Sequence, residues 1–260
     1  MKIQYASDLH LEFRDNSRWL KDNPLQVSGD ILVLAGDTIY LGDDGLEKHP
    51  FWSWASDNYK EVLAIPGNHE LYKYYDINIL HEGWEYRLRN NVRYCNNKAI
   101  DLGDDVELLM TTLWSKINIS EAYFVEHGVS DFHRIMNGEY RLTYDRFNKE
   151  HDKCLAWLTG RLSNTTRKCR VVVTHHVPSY MLSDPAFKGS QINGAFTVEL
   201  SDFIGHCSPE FWIYGHSHRN IDAVIGKTLC VSNQLGYVMN GEHCGSNGFA
   251  AFSSAKYIEP

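Results

Sequence analysis

In the stretch Ile213-Tyr214-Gly215-His216-Ser217-His218, two histidines stand one residue apart behind an apolar run. Histidines so spaced can hold one metal ion, hold two different ions, or share no chemistry. The other polar residues of the chain bear on the choice. Asp8 and His10 follow "QYAS", Asp37 follows "VLAG", Asn68 and His69 follow "AIPG", and His175 and His176 follow "VVVT". Asp-x-His alone decides nothing: about one copy is expected by chance in a chain of this composition, and it occurs at both Asp8–His10 and Asp131–His133. Gly-His-x-His and Gly-Asn-His are rarer, at roughly 0.05 chance copies each. Finding them together, each just past an apolar run, points to one shared site. A carboxylate can bridge two cations, while His and Asn add neutral donors. Such a mixed set suits Mn, Zn, Fe or Ni better than Ca, which prefers oxygen ligands throughout. Two divalent ions against two carboxylates would leave a local excess of about +2, attractive to phosphate.

A site drawn from five distant stretches needs elements that bring their ends together. The runs 2–7, 31–36, 62–67, 106–114, 170–175, 211–215, 227–232 and 248–253 are short and rich in aliphatic or aromatic residues. Gly, Pro, Asp or Asn bounds them, and these are strand signals. Residues 145–162 repeat apolar side chains at three- and four-residue steps (Phe147, His151, Cys154, Leu155, Leu158, Leu162), the pattern of a helix with one buried face. Alternating strands and helices predict an α/β fold. In open α/β sheets, sites form beyond the carboxyl ends of the strands, where these polar residues fall. No repeat or Gly/Ser linker divides the chain, so residues 1–260 read as a single domain. The polar, aromatic stretch 115–142 reads as loops or a lid over the working face.

Composition narrows the setting. The chain has 260 residues, 43% hydrophobic and 22% charged, with a formal net charge of −8. Such a chain can bury a large core and would repel a long polyanion overall. The start lacks the apolar segment of a signal peptide, and no stretch is long and apolar enough to span a membrane. The 6 cysteines form no CxxC pair and read as reduced. A cytoplasmic protein is expected, in which the sequons at Asn118 and Asn164 carry no meaning. The oligomeric state is left open.

Taken in order, Asp-x-His, Gly-Asp, Gly-Asn-His-Glu, Thr-His-His and Gly-His-x-His resemble the signature of the calcineurin-like metallophosphoesterase superfamily, from Asp8 to His218. "TTLW", "SDFHRI" and "VSNQLGY" further resemble a group of small bacterial members. The resemblance implies a four-layer αββα sandwich of mixed β-sheets flanked by helices, with a dinuclear centre at the strand ends. It implies Asp8, His10 and His218 on the first metal, Asn68, His175 and His216 on the second, and Asp37 bridging both. His175 rather than His176 matches the family position. A hydroxide bridging the metals would attack phosphorus in line, and His69 would protonate the leaving oxygen. The protein-phosphatase motif Gly-Asp-x-x-Asp-Arg-Gly is absent: "GDTIYLG" carries no arginine to clamp phosphate.

The expected function is a dinuclear hydrolase of phosphomonoesters or phosphodiesters. Its partner would be a phosphate-bearing small molecule or nucleotide. His133 and Arg134 in "SDFHRI" could contact substrate phosphate, or belong to a solvated loop. The alternative is a nuclease acting on DNA or RNA ends, which would draw on a basic patch such as Arg87, Arg89 and Arg93. A scaffold that kept the fold but lost the chemistry would lack part of the ligand set or the His69 equivalent.

Overall fold

The computed structural model describes residues 1–164, 168–245 and 248–260. The Asn164 sequon extends outside the described residues. One six-stranded sheet contains β1 (Ile3–Ala6), β2 (Ile31–Leu34), β3 (Glu61–Ala64), β4 (Trp84–Arg89), β5 (Val92–Asn96) and β14 (Tyr257–Ile258). A second contains β6 (Lys98–Gly103), β7 (Val106–Met110), β10 (Cys169–Val173), β11 (Phe211–Tyr214), β12 (Ala223–Ile225) and β13 (Thr228–Ser232). Their orders are β14-β1-β2-β3-β5-β4 and β12-β13-β11-β10-β7-β6. Each sheet has four parallel strands in the middle and one antiparallel strand at each edge.

The two-residue periodicity of the strands builds the layers. Ile3, Tyr5, Ile31, Val33 and Leu63 face Leu108, Met110, Val171, Val173 and Ile213 across a dry layer between the sheets. The alternate residues point outward. Leu32, Leu34, Val62 and Tyr94 pack with Leu20 of α1 (Arg14–Asp22) and with Phe51, Trp52 and Ala55 of α2 (Pro50–Asn58). Leu109, Val172, Trp212 and Tyr214 pack with Leu158 and Leu162 of the long helix Tyr144–Leu162 and with Ile204 of Ser201–Cys207. The result is the expected four-layer sandwich. The long helix starts one residue before the predicted span, with Thr143 accepting a hydrogen bond from the Arg146 N–H, 3.3 Å.

Three expectations change. The run 248–253 is not a strand; Ala250 only bridges Asn220 in isolation. Strands β4 and β5 are not apolar runs: β4 carries Glu85, Arg87 and Arg89 on a half-exposed edge, and Arg93 and Asn96 interrupt β5. The stretch 115–142 is not irregular throughout. It holds helices α3 (Ala122–Gly128) and α4 (Asp131–Arg134) and a hairpin of β8 (Met136–Asn137) with β9 (Tyr140–Arg141). Among the described residues no helix is long and apolar enough to cross a membrane.

Leu108 is fully buried in the layer between the sheets. Leu108→Ala should lower the unfolding free energy by about 2–5 kcal/mol through lost burial and the cavity left behind. Denaturant titration of the metal-free protein measures this. A loss under about 1 kcal/mol would mean the layer repacks freely.

Candidate metal centre and active site

The parallel strands point their carboxyl ends at one place. Asp8 and His10 follow β1, Asp37 follows β2, Asn68 and His69 follow β3, His175 follows β10, and His216 and His218 follow β11. The chain has to turn sharply there to aim side chains back over the sheet ends. Asp8 (φ 54°), His10 (φ 47°), Asp37 (φ 53°), His216 (φ 76°) and His218 (φ 52°) all adopt the left-handed conformation. For residues with a Cβ this costs of order 1–3 kcal/mol each, and such strain gathers where function holds it. Two glycines are sterically required. At Gly36, with φ +89°, an added Cβ would collide with the His175 ring, and at Gly67 it would fall on the Asp37 carboxylate.

The side chains form adjoining clusters. In one, His218 Nε2 lies 3.0 Å from His10 Nε2 and 3.4 Å from Asp8 Oδ1. In the other, His175 Nε2 lies 3.0 Å from Asn68 Oδ1, 3.1 Å from His216 Nδ1 and 3.4 Å from Asp37 Oδ1. Asp37 joins them: Oδ1 faces His175, while Oδ2 lies 3.9 Å from His10 Nε2 and 4.0 Å from His69 Nε2. Through these contacts all seven candidate ligands, and His69, form one continuous chain of neighbours joined at Asp37. His176 is not part of this face. Its ring is buried against Trp114, Phe147 and His216, and neither ring nitrogen has a hydrogen-bond partner.

The donor set fits cations. Asp8 and Asp37 are at most 2% exposed, and among the described residues only histidines pair with them. Buried carboxylates without a cationic partner are costly. Ring nitrogens also face each other at 3.0–3.1 Å, an arrangement that a proton or a metal ion must fill. Acceptors behind the rings fix their orientation. His10 Nδ1 lies 3.2 Å from Glu12 Oε1, His175 Nδ1 donates to the Ala35 carbonyl at 2.9 Å, and His218 Nδ1 donates to Glu242 Oε2 at 2.6 Å. Each leaves Nε2 facing inward, the usual carboxylate or carbonyl support of a metal-binding histidine.

The electrostatics follow from burial and from these pairs. Burial opposes a charge on His175, but Asp37 and Asp8 outweigh it and raise its pKa to about 9. Asp8 and Glu242 likewise raise His218 to about 10 against burial. Burial and the neighbouring His175 push His216 down to about 3. Burial also raises Asp37, yet the charges of His175 and His69 carry it well below the usual carboxylate range.

His69 differs from the rest. Nδ1 lies 2.8 Å from Glu12 Oε1, Tyr72 stacks on its ring at 4.2 Å, and Nε2 lies 3.2 Å from the Tyr237 hydroxyl. Glu70, its neighbour, accepts from the N–H groups of Asp37 (2.9 Å), Thr38 (2.7 Å) and Gly67 (2.8 Å), tying the β2 and β3 loops together.

A cleft of about 570 Å³ opens over the clusters. Its wall includes Phe13, Tyr72, Phe187, Phe196, Tyr237 and Arg134. Gly128–Asp131 of the expected lid line it too. Arg134 is exposed, with its guanidinium 5.2 Å from the centre of the Tyr72 ring. His133 lies outside the lining and contacts the His127 carbonyl at 3.2 Å. A larger cavity, about 690 Å³, sits against α1 and gathers no metal-type cluster.

The profile of the calcineurin-like phosphoesterase family matches residues 1–220. The chain belongs to the calcineurin-like phosphoesterase family. This phosphoesterase is therefore a hydrolase, of a family that uses divalent metal ions. An uncharacterized protein of Acanthamoeba polyphaga mimivirus, L509, is 29% identical over 264 residues, 90% of this chain and 91% of that protein. The fold resembles that of the phosphopantetheinyl hydrolase PptH from Mycobacterium tuberculosis, at 14% identity and TM-score 0.69, covering 100% of the phosphoesterase and 96% of that chain. It also resembles a dimetal phosphatase from Danio rerio, at 14% identity and TM-score 0.54, covering 89% and 86%.

Two predictions follow from the geometry. His175 and His218 hold protons below pKa values of about 9 and about 10, and a metal ion taking their inward nitrogens would displace those protons. Affinity should therefore fall as pH drops, by up to about tenfold per unit for each displaced proton. Calorimetric titration in buffers of different ionisation enthalpy counts those protons, and a flat affinity between about pH 6 and about pH 9 would contradict it. Asp37→Ala should lower metal uptake at both clusters together, because Asp37 faces both. Elemental analysis showing full loading beside near-normal turnover would remove Asp37 from the bridging position.

Proposed function

We propose that this phosphoesterase is a dinuclear enzyme hydrolysing phosphomonoesters or phosphodiesters of small molecules or nucleotides. The observation that carries this reading is Asp37, whose two oxygens face separate clusters. Asp8, His10 and His218 would hold one ion. Asn68, His175 and His216 would hold the other. When bound, the two ions supply an activated water and neutralise charge developing on phosphorus. Their identity is open among Mn, Zn, Fe and Ni, all of which suit a mixed nitrogen and oxygen set.

The chain's own residues would do the rest. Glu12 holds the Nδ1 proton of His69 and leaves Nε2 facing the cleft next to Asp37 and Tyr237, so the imidazolium form carries a second, transferable proton there. From there His69 can protonate the departing oxygen. Burial lowers the pKa of His69, against the pull of Asp37, which eases that proton's release. Arg134, at the cleft wall above Tyr72, would hold a substrate anion. The 115–142 segment would act as the lid of a single domain, since Gly128–Asp131 and Arg134 line the cleft. His133 contributes nothing to this reading, because it lies outside the lining.

The nuclease alternative draws no comparable support. Arg87 pairs with Glu85 at 3.1 Å and Arg93 with Glu61 at 2.5 Å, and Arg87, Arg89 and Arg93 are all absent from the cleft lining. A scaffold role is disfavoured because the full ligand set and His69 are retained.

Assay of the metal-loaded protein on bis(p-nitrophenyl) phosphate and p-nitrophenyl phosphate, then on a nucleotide panel, separates diesterase from monoesterase action. His69→Ala should keep both metals and lose about 10²–10⁴ in turnover. Substrates with alkoxide leaving groups should suffer most and p-nitrophenolate least. A plot of log turnover against leaving-group pKa should steepen in the variant. Parallel lines would assign His69 to phosphate positioning instead.

A further inference from the structure

Asn68 presents a chemical ambiguity. Its side-chain amide has one end that can bind a metal, the oxygen, and one that cannot, the NH2 group. The two ends have nearly the same shape, so packing alone does not choose between them. Something must fix which end faces the ion.

The structure supplies it from the 115–142 segment. Asp131, 1% exposed at the start of α4, accepts a hydrogen bond from Asn68 Nδ2 at 2.8 Å and from the Tyr72 hydroxyl at 2.7 Å, both on Oδ1. Asn68 Nδ2 also reaches the Tyr72 oxygen at 3.2 Å. Asp131 Oδ1, which both groups approach, is the acceptor of the two bonds. Tyr72 gives its one proton to Asp131, so towards Asn68 it can only accept. Both partners therefore demand the NH2 end. The amide oxygen is left pointing 3.0 Å from His175 Nε2, into the second cluster.

We propose that Asp131 is a positioning residue of the metal centre: it locks the Asn68 amide with its oxygen toward the second ion and polarises that oxygen. This rests on the proposed role of Asn68 as a ligand. It gives the lid segment a second task besides walling the cleft. The same short helix carries Arg134 at the cleft and Asp131 behind the ligand. Tyr72, which completes the lock, also stacks on His69.

The test reads metal binding, not turnover. Zinc or manganese is titrated into wild type, Asp131→Asn, Asn68→Ala and the double variant, with elemental stoichiometry and the metal-free melting temperature alongside. Asparagine has the shape of aspartate but can donate, so it no longer dictates the orientation of Asn68. Asp131→Asn should weaken one of the two sites about 10–100-fold, the usual effect of losing such a support, and leave the other unchanged. The double variant should lose no more than Asn68→Ala. Two wild-type affinities in a folded Asp131→Asn, or additive losses in the double variant, would overturn the proposal. A crystal structure of the loaded wild type decides the matter even if Asp131→Asn does not fold. The expected finding is Asn68 Oδ1 on the metal with Nδ2 on Asp131. An Asp131 oxygen on the ion, or Asn68 turned away, would sink it. Wild type that takes up no metal would instead defeat the dinuclear reading itself.

Discussion

Asp8 and Asp37 are buried and ionised, and among the described residues no lysine or arginine pairs with them. A lone carboxylate taken out of water costs several kcal/mol; the backbone N–H groups of His216 and His69 donate to Asp8 and Asp37, and the cations that face them are imidazoles. In the metal-free molecule the compensation comes from protonated His175 and His218, whose pKa values rise to about 9 and about 10 for that reason. The demand for positive charge is thus built into the end of the sandwich before any ion arrives. Metal ions meet it better than protons do, because one divalent ion serves several donors at once. The strand order, the strained turns and the acceptors behind the rings can all be understood as means of keeping these donors close despite their mutual repulsion.

That closeness has a structural source. Each sheet contributes loops from its parallel strands, so Asp8, Asp37 and Asn68 arrive from one side and His175, His216 and His218 from the other. The inter-sheet core fixes how far apart the two sets stand. Left-handed turns at five of the seven candidate ligands then fold the side chains back over the strand ends. No single turn would hold against its own strain. The registered hydrogen bonds of β1 with β2 and of β10 with β11 anchor the chain just before each turn, and Glu70 clamps the Asp37 and Gly67 loops from behind.

The sequence was most readable where local pattern and site coincide. Apolar runs mark most of the central parallel strands because both faces are buried (β5, broken by Arg93 and Asn96, is the exception), and the polar residue after each run marks the strand end. Edge strands were less readable. In β4 the charges of Glu85, Arg87 and Arg89 break the apolar run, while the apolar 248–253 imitates a strand without forming one. The supports of the site split the same way. Glu12 continues the alternation of Asp8 and His10 and was open to discovery from spacing alone. Glu242 reaches His218 across 24 residues, and Asp131 reaches Asn68 across 63. Nothing local distinguishes them from surface acids. Asp131 even belongs to the Asp-x-His copy that chance accounts for.

These hidden carboxylates also change the electrostatics of substrate capture. Counting only Asp8 and Asp37 leaves two ions with a local excess of about +2. Glu12, Glu70, Asp131 and Glu242 lie in or directly behind the same shell, and even partial ionisation would cancel that excess. Burial raises Glu70 to about 8 and pushes Glu12 and Asp131 upward. Bound cations would favour their ionised forms. In a chain of net charge −8, the site then offers little long-range attraction to an anion. On the proposed reading, a phosphate would be captured at contact distance, through open metal positions and Arg134, after the aromatic wall of Phe13, Phe187, Phe196 and Tyr237 had gathered the rest of the molecule. A long polyanion, which depends on an extended positive field to overcome the repulsion, gains nothing from such a cleft. A small ester with an apolar or aromatic arm does, because its binding relies on contact and desolvation more than on field.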